Sequence, residues 1–123
     1  MCGIFGHLNP RGADLALVER MASTLAHRGP DGQGQTTVGN VSLLHNRLSI
    51  IDLVTGDQPF FAGSAAIVAN GEVYNYRELR DELRSQGAQF STESDTEVLA
   101  AAWEAWGEAA LDRIEGMYAA ALV

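Results

Sequence analysis

Cysteine is nearly absent from the sequence. Among 123 residues the single cysteine is Cys2, so no disulfide can form within the chain. Long apolar runs are missing too, because no stretch approaches the run of about 18 apolar residues that a membrane-spanning helix needs. The opening also lacks the basic-then-apolar pattern of a signal peptide. The sequence therefore predicts a cytoplasmic protein that does not enter a membrane.

Basic residues are scarce. Eight Lys and Arg residues stand against sixteen Asp and Glu residues, which gives a formal net charge of −8. A negative charge of this size opposes binding to nucleic acid and to anionic membranes. The three histidines, His7, His27 and His45, lack the spacing of metal ligands. We therefore expect packing or surface histidines and no metal site.

The rest of the composition is typical of one globular domain. Hydrophobic residues make up 46% of the chain and charged residues 20%. Strand-like and helix-like apolar patterns are both present, and Gly39-Asn40 is a hairpin signal that favours antiparallel pairing. These patterns predict a single domain, residues 1–123, of class α+β with layered αββα architecture.

A polar segment, Asn70-Gly71-Glu72, follows the apolar run 65–69, which is typical of a buried strand. We expect a turn at this segment and a helix from about Tyr76, with Asn75 as N-cap and Glu78 as its reciprocal partner. An amide, a glycine N–H and a carboxylate would then lie side by side and could contact one small polar ligand. The alternative is a turn whose polar residues only cap and solvate.

Cys2 directly follows Met1, and a side chain this small normally permits removal of the initiator methionine. The first residue would then carry both a thiol, of pKa about 8.5, and a free α-amine, of pKa about 7.7 to 8.0. The amine could accept the thiol proton, so nucleophile and base would come from one residue. A buried, inert thiol is the alternative.

Arg47 is followed by a largely apolar stretch, Leu48-Ser49-Ile50-Ile51. A guanidinium in such surroundings needs a partner. That partner is either a structural carboxylate, the commoner case, or the carboxylate of a substrate gripped by two hydrogen bonds.

Further helices and a terminal strand are predicted around these residues. Helical apolar spacing and Gly-Pro breakers predict an amphipathic helix over about 14–27. Ser94 and Glu97 have the spacing of a capping box that opens another helix, with Asp95 in its first turn, where the helix dipole favours a carboxylate. The apolar run 117–123 is typical of a strand.

Six blocks in this order resemble the class II glutamine amidotransferases, and most closely the glutaminase domain of glutamine-hydrolysing asparagine synthetases. No single block is specific, but the ordered set is, and it spans nearly the whole chain. The blocks are Met1-Cys2-Gly3-Ile4-Phe5-Gly6, His27-Arg28-Gly29-Pro30-Asp31-Gly32, Arg47-Leu48-Ser49-Ile50-Ile51-Asp52, Gln58-Pro59, Asn70-Gly71-Glu72-Val73-Tyr74-Asn75 and Ser94-Asp95-Thr96-Glu97.

The resemblance implies an N-terminal-nucleophile αββα fold and hydrolysis of glutamine to glutamate and ammonia through a thioester. It implies that Cys2 is the nucleophile and that Asn70 and the Gly71 N–H form the oxyanion hole. The substrate-binding residues it implies are Arg47 for the α-carboxylate, Glu72 and Asp95 for the α-ammonium, and backbone groups near Leu48 and Ile50. The ammonia would pass to a synthetase domain or subunit for an ATP-dependent amidation, with asparagine as the default product.

The sequence departs from the family pattern at its end. The family's glutaminase domain continues for several dozen residues beyond the strand corresponding to 117–123, and those residues complete its second sheet. The synthetase domain, which would use ATP and Mg²⁺, is absent, and we expect no cofactor in this chain itself. The open apolar edge of the last strand favours a fold that is incomplete at the C-terminus. The chain would then be a fragment, a split subunit, or one protomer of a homo-oligomer completed by another.

Two other functions fit the sequence. A truncated, non-catalytic domain could serve as an interaction or structural unit, although all the implied site residues are present. Another N-terminal-cysteine hydrolase could act on amides other than glutamine. One guanidinium with two carboxylates suits an amino-acid zwitterion better, which favours glutamine.

Overall fold

The computed structural model describes residues 1–50 and 53–123. Its strands are β1 (Gly3–Leu8), β2 (Gly32–Val38), β3 (Val41–Arg47), β4 (Phe60–Ala62), β5 (Ala65–Val73) and β6 (Gly116–Leu122), and its α-helices are α1 (Leu15–Leu25), α2 (Tyr76–Ser85) and α3 (Glu97–Trp106). Short 3₁₀ turns follow α1 and α3. Within the described part of the chain, no helix has the length and apolar character that crossing a bilayer requires.

The strands form two antiparallel sheets. The first has the order β1-β3-β2 and the second the order β4-β5-β6. The predicted hairpin is confirmed, since Val38 pairs with Val41 and Gly39 turns the chain with a φ of +57°.

The two sheets pack face to face between helical layers, which confirms the αββα architecture. Helix α1 covers the outer face of the first sheet, where Val18 and Ala22 contact Leu44. Helices α2 and α3 cover the outer face of the second sheet through Leu79, Leu83 and Val98, among others. The core between the sheets is formed by Leu43, Ala66 and Val68, with Ile4, Val38, Val41, Ala121 and Val123 packed against them.

Along β3 and β5, the side chains that lie between the two sheets change from apolar to polar. On β3 Leu43 faces the second sheet, and His45 and Arg47 follow it on the same face of the strand. On β5 the corresponding series runs from Val68 to Asn70. The sheets therefore enclose apolar side chains at one end and polar side chains at the other.

The segment Asn70-Gly71-Glu72 is not a turn. It lies inside β5, where these residues pair with Ala119, Tyr118 and Met117 of β6 in that order. The prediction of a turn was wrong because β6, which comes last in the chain, extends the pairing as far as Val73. The apolar run before the segment is a buried strand, as expected.

Helix α2 begins at Tyr76 with Asn75 at the N-cap position, as predicted, but the predicted cap bond does not form. Asn75 makes no side-chain cap bond. Its amide instead donates to the Arg113 carbonyl at 2.9 Å and accepts from the Glu115 N–H at 3.0 Å. A long-range contact with the segment entering β6 has replaced the local cap. The helix ends before Gly87, whose φ of +101° suits the expected C′ position.

The predicted capping box of α3 is also wrong. The helix starts at Glu97 itself, so Ser94 lies too far upstream to cap it. The Glu97 carboxylate instead accepts hydrogen bonds from the backbone and hydroxyl groups of Ser91 and Thr92, at 2.7–2.9 Å. Asp95 accordingly precedes the first turn rather than lying in it.

We predict that Gly34→Ala lowers the free energy of unfolding by more than about 2 kcal/mol, whereas Gly6→Ala costs less than about 1 kcal/mol. A Cβ on Gly34 would lie 1.8 Å from the Gln58 carbonyl oxygen, but one on Gly6 would meet only Leu43 Cδ2, at 3.5 Å. Both glycines lie in strands, so the pair is matched in backbone conformation. Urea unfolding measures the difference, and equal costs would contradict the close packing of residue 58 on β2.

Candidate active site

A cavity lies where the polar ends of the two sheets face each other. It is lined by all eight residues named as site residues from the sequence: Cys2, Arg47, Leu48, Ile50, Asn70, Gly71, Glu72 and Asp95. They come from the residue before β1, the end of β3 and the residues that follow it, the end of β5 and the segment before α3. The other lining residues, which sequence reasoning did not name as site residues, are Met1, His45, Gly56, Gln58, Ala69, Ser94, Thr96 and Met117.

Cys2 is held in place by the end of β3. The Leu48 N–H donates to its Sγ at 3.3 Å, and Sγ lies 3.6 Å from the Leu48 carbonyl oxygen. Arg28 Nε donates to the Cys2 carbonyl at 3.1 Å. The thiol is half-buried and borders the cavity, so it is not enclosed in an apolar core.

Arg47 has a structural carboxylate partner, as the sequence favoured. Its Nη1 lies 2.8 Å from Asp57 Oδ1, and its side chain is 8% exposed against 76% for Asp57. The ion pair anchors the guanidinium at the cavity wall. A guanidinium has five N–H donors, so this pairing is compatible with a further contact to a bound carboxylate.

Asp95 is a buried carboxylate that lines the same cavity. It is 4% exposed, and its Oδ2 accepts the Val73 N–H at 2.8 Å. This bond ties the segment before α3 to the end of β5, where the half-buried Glu72 also lines the cavity. Two carboxylates at one wall favour a cationic group in the space between them and Arg47.

Arg80 and Glu97 fix the segment that carries Asp95. The Arg80 guanidinium donates to the carbonyls of Thr92 and Ser94 at 2.7 and 2.6 Å. Burial tends to raise the pKa of Glu97, but the hydrogen bonds from Ser91 and Thr92 outweigh it and lower that pKa. Sequence reasoning missed Arg80, because nothing in its local pattern distinguishes it from a surface residue of α2.

Gln58 supports the strand that carries Asn70. Its side-chain amide accepts the Ala69 N–H at 2.6 Å and donates to the Ala69 carbonyl at 3.1 Å. It also donates to Thr96 Oγ1 at 3.3 Å, which links β5 to the segment before α3. Sequence reasoning quoted Gln58 as part of a motif but gave it no role.

At Gly71, in the cavity wall, the backbones of β5 and β6 approach closely. A Cβ there would lie 2.1 Å from the Met117 carbonyl oxygen and 2.7 Å from Tyr118 Cβ. Only glycine therefore permits this pairing. The Asn70 side chain and the Gly71 backbone are held beside the cavity by the same contact.

His45 lies between the apolar core and Arg47 on β3. It is 1% exposed, it lines the cavity, and its Nε2 has no hydrogen-bond partner among residues 1–50 and 53–123. Burial, and then the Arg47 charge, lower the pKa of His45 to about 4, with Asp57 acting weakly in the opposite direction. The imidazole is therefore neutral at neutral pH. Strand alternation from Arg47 would have placed it here, but sequence reasoning treated it as a packing or surface residue.

The sequence profile of the glutamine amidotransferase domain family matches residues 1–123. The chain belongs to this family. A putative glutamine-hydrolysing asparagine synthetase of Mycobacterium tuberculosis is 42% identical over 99% of the chain. Glutamine-hydrolysing asparagine synthetase 1 of Bacillus subtilis is 41% identical over 97% of the chain. The chain spans only 22% and 20% of the lengths of these relatives.

A solved structure supports the fold of this glutamine amidotransferase domain. The glutamine phosphoribosylpyrophosphate amidotransferase of B. subtilis, in complex with ADP and GMP, superposes with a TM-score of 0.70. The match covers 99% of the chain and 34% of that protein, at 24% sequence identity. It supports the layered αββα fold that the motifs implied.

We predict that acidification destabilises the domain through His45. Because its folded pKa of about 4 lies below the unfolded value of 6.5, this contribution to stability is complete above pH 6.5 and is lost as pH falls towards 4. The loss amounts to about 3 kcal/mol. His45→Gln should remove that part of the pH dependence, as measured by urea unfolding at a series of pH values. Equal pH dependence in both proteins would show that the histidine is not buried in its neutral form.

Proposed function

We propose that this domain hydrolyses glutamine to glutamate and ammonia, with Cys2 as the nucleophile once Met1 has been removed. One observation carries the proposal: Cys2 borders the same cavity as Arg47, Glu72 and Asp95. A reactive sulfur and groups of both charges thus surround one small space.

The charges of the cavity complement those of free glutamine. Arg47 suits the α-carboxylate, because a guanidinium can hold a carboxylate through two hydrogen bonds. Glu72 and Asp95 suit the α-ammonium. With both ends of the amino acid held, the side-chain amide would reach Cys2. Positioning of this kind lowers the activation barrier of the reaction, because the entropy cost of bringing the reacting atoms together is met on binding.

In the first step Cys2 Sγ attacks the amide carbon and its proton passes to the Cys2 α-amine. Asn70 and the Gly71 N–H stabilise the negative charge that develops on the carbonyl oxygen, where loss of one donor typically costs about 100- to 1,000-fold in rate. The carbon–nitrogen bond then breaks, the amine returns the proton to the leaving nitrogen, and ammonia departs. The product on the enzyme is a glutamyl thioester, which water hydrolyses to glutamate and the free thiol.

Removal of Met1 is required by this chemistry. While Met1 is attached, the Cys2 nitrogen is a peptide amide and cannot accept a proton. Met1 is 62% exposed and lines the cavity. Its removal therefore creates the base and widens the entrance beside the sulfur.

We further propose that the ammonia is used by an asparagine-synthetase-like partner, either a further domain or a separate subunit. The support is the identity of about 40% with proteins named glutamine-hydrolysing asparagine synthetases, of which this chain matches about a fifth. ATP and Mg²⁺ would serve that partner, and the domain described here would supply nitrogen. A cytoplasmic location is part of this proposal.

We predict that Cys2→Ala abolishes glutamate release but leaves glutamine binding within about threefold. The variant loses the bond-forming atom and keeps the charged groups that hold the substrate. Coupled detection of glutamate and calorimetric binding measure the two effects, and intact mass checks that Met1 is absent from the active protein. If glutamate release survives in the variant, Cys2 is not the nucleophile. If neither protein binds glutamine, the domain is a non-catalytic unit.

We predict that Asp95→Asn weakens glutamine binding by about 10- to 100-fold, as expected for loss of one charged hydrogen-bond partner. The Asn oxygen can still accept the Val73 N–H, so the fold should be kept. Glu93→Gln is the control, because it removes a charge from the same segment at a side chain that is 84% exposed. The Gln oxygen can still accept the 3.4 Å hydrogen bond from Arg80 Nη1 that Glu93 accepts. Equal affinity in the two variants would exclude Asp95 from ammonium binding.

A further inference from the structure

His45 is a buried polar side chain that the proposed mechanism does not use. It lies on β3 opposite Ile4 of β1 and Gly34 of β2. It is 1% exposed, yet it lines the candidate active-site cavity. Among the described residues, nothing pairs with its Nε2.

An unpaired imidazole nitrogen in this position is costly. More than nine-tenths of buried polar groups in proteins have a hydrogen-bond partner, and leaving one without a partner costs about 1–3 kcal/mol. The ring is neutral at neutral pH, so Nε2 can either donate or accept a single hydrogen bond, according to its tautomer. The cavity that His45 borders is the space from which a partner can come.

The neighbours of His45 are Arg47, proposed to bind the α-carboxylate of the substrate, and Cys2, the proposed nucleophile. Arg47 lies two residues along the same strand face, next to the proposed carboxylate position. Cys2 lies two residues before Ile4, the residue paired with His45, so His45 and Cys2 are diagonal neighbours across β1 and β3. His45 therefore borders the proposed substrate position next to both residues, on the side of the apolar core.

We propose that His45 contacts the substrate and that its Nε2 forms a hydrogen bond with bound glutamine. This inference rests on the proposed function and adds a substrate-binding residue to it. It explains why a polar ring lies where the face of β3 changes from Leu43 in the core to Arg47 at the cavity. It also explains why Nε2 has no partner among residues 1–50 and 53–123.

Two substitutions separate this role from a packing role. Gln at position 45 places an amide near the position of Nε2, whereas Asn reaches only to about the position of Nδ1. In the Cys2→Ala background, where no turnover occurs, His45→Asn should weaken glutamine binding by about 10-fold. His45→Gln should stay within about threefold of the parent. The control is His27→Asn, which alters an exposed histidine outside the cavity.

The unaltered side chain gives an independent readout that does not depend on folding of the variants. The chain has three histidines, so their ring nitrogens can be followed by ¹⁵N NMR in the Cys2→Ala protein. Glutamine should shift the His45 Nε2 resonance and leave those of His7 and His27 unchanged. If glutamine binds but the His45 resonance does not move, or if His45→Asn binds as tightly as the parent, this inference is wrong and the glutaminase proposal stands. If glutamine does not bind the parent, both fail.

Discussion

Antiparallel pairing of β1 with β3 is the constraint on which the site depends. The register of Gly3 with Asn46 sets Cys2 beside the residues that follow β3, so that the Leu48 N–H meets the sulfur at 3.3 Å. A shift of one residue would turn every side chain of β1 to the other face of the sheet. Cys2 would then face α1 instead of the cavity. The register is held by the apolar side chains that alternate on both strands.

The second sheet supplies the groups that face Cys2, and they are held by contacts far apart in the sequence. Gln58 pairs with Ala69, Asp95 accepts the Val73 N–H, and Gly71 permits β6 to approach. Charged groups buried in such a cavity require compensating bonds. Arg47 forms an ion pair with Asp57, and Asp95 accepts a backbone N–H. The same bonds fix the positions of these groups before a ligand arrives, and such preorganisation is what binding and catalysis require.

Residue patterns predicted the layers and the hairpin, because these depend on local periodicity and glycine positions. The Asn75–Glu78 spacing predicted the start of α2, although the cap bond on which that prediction was based does not form. They also named eight residues that the fold brings to one cavity, although the roles of those residues came from the ordered motifs. The predicted cap bonds do not form because the side chains of Asn75 and Glu97 bond elsewhere. Asn75 bonds to the segment that enters β6, and Glu97 bonds to Ser91 and Thr92. The turn at Asn70 failed because β6 pairs there, and no local signal announces a partner 40 or more residues away. His45 and Arg80 were missed since their roles depend on which faces of the strands and helices meet.

The central claim is that a freed Cys2 shares its cavity with groups that select glutamine, and covalent labelling tests it most directly. A diazoketone analogue of glutamine should alkylate the chain once, with peptide mass spectrometry locating the label on a Cys2 that has lost Met1. Free glutamine should protect it, and Asp95→Asn should slow the reaction. Labelling elsewhere, or labelling of Cys2 that glutamine does not prevent, would contradict the account.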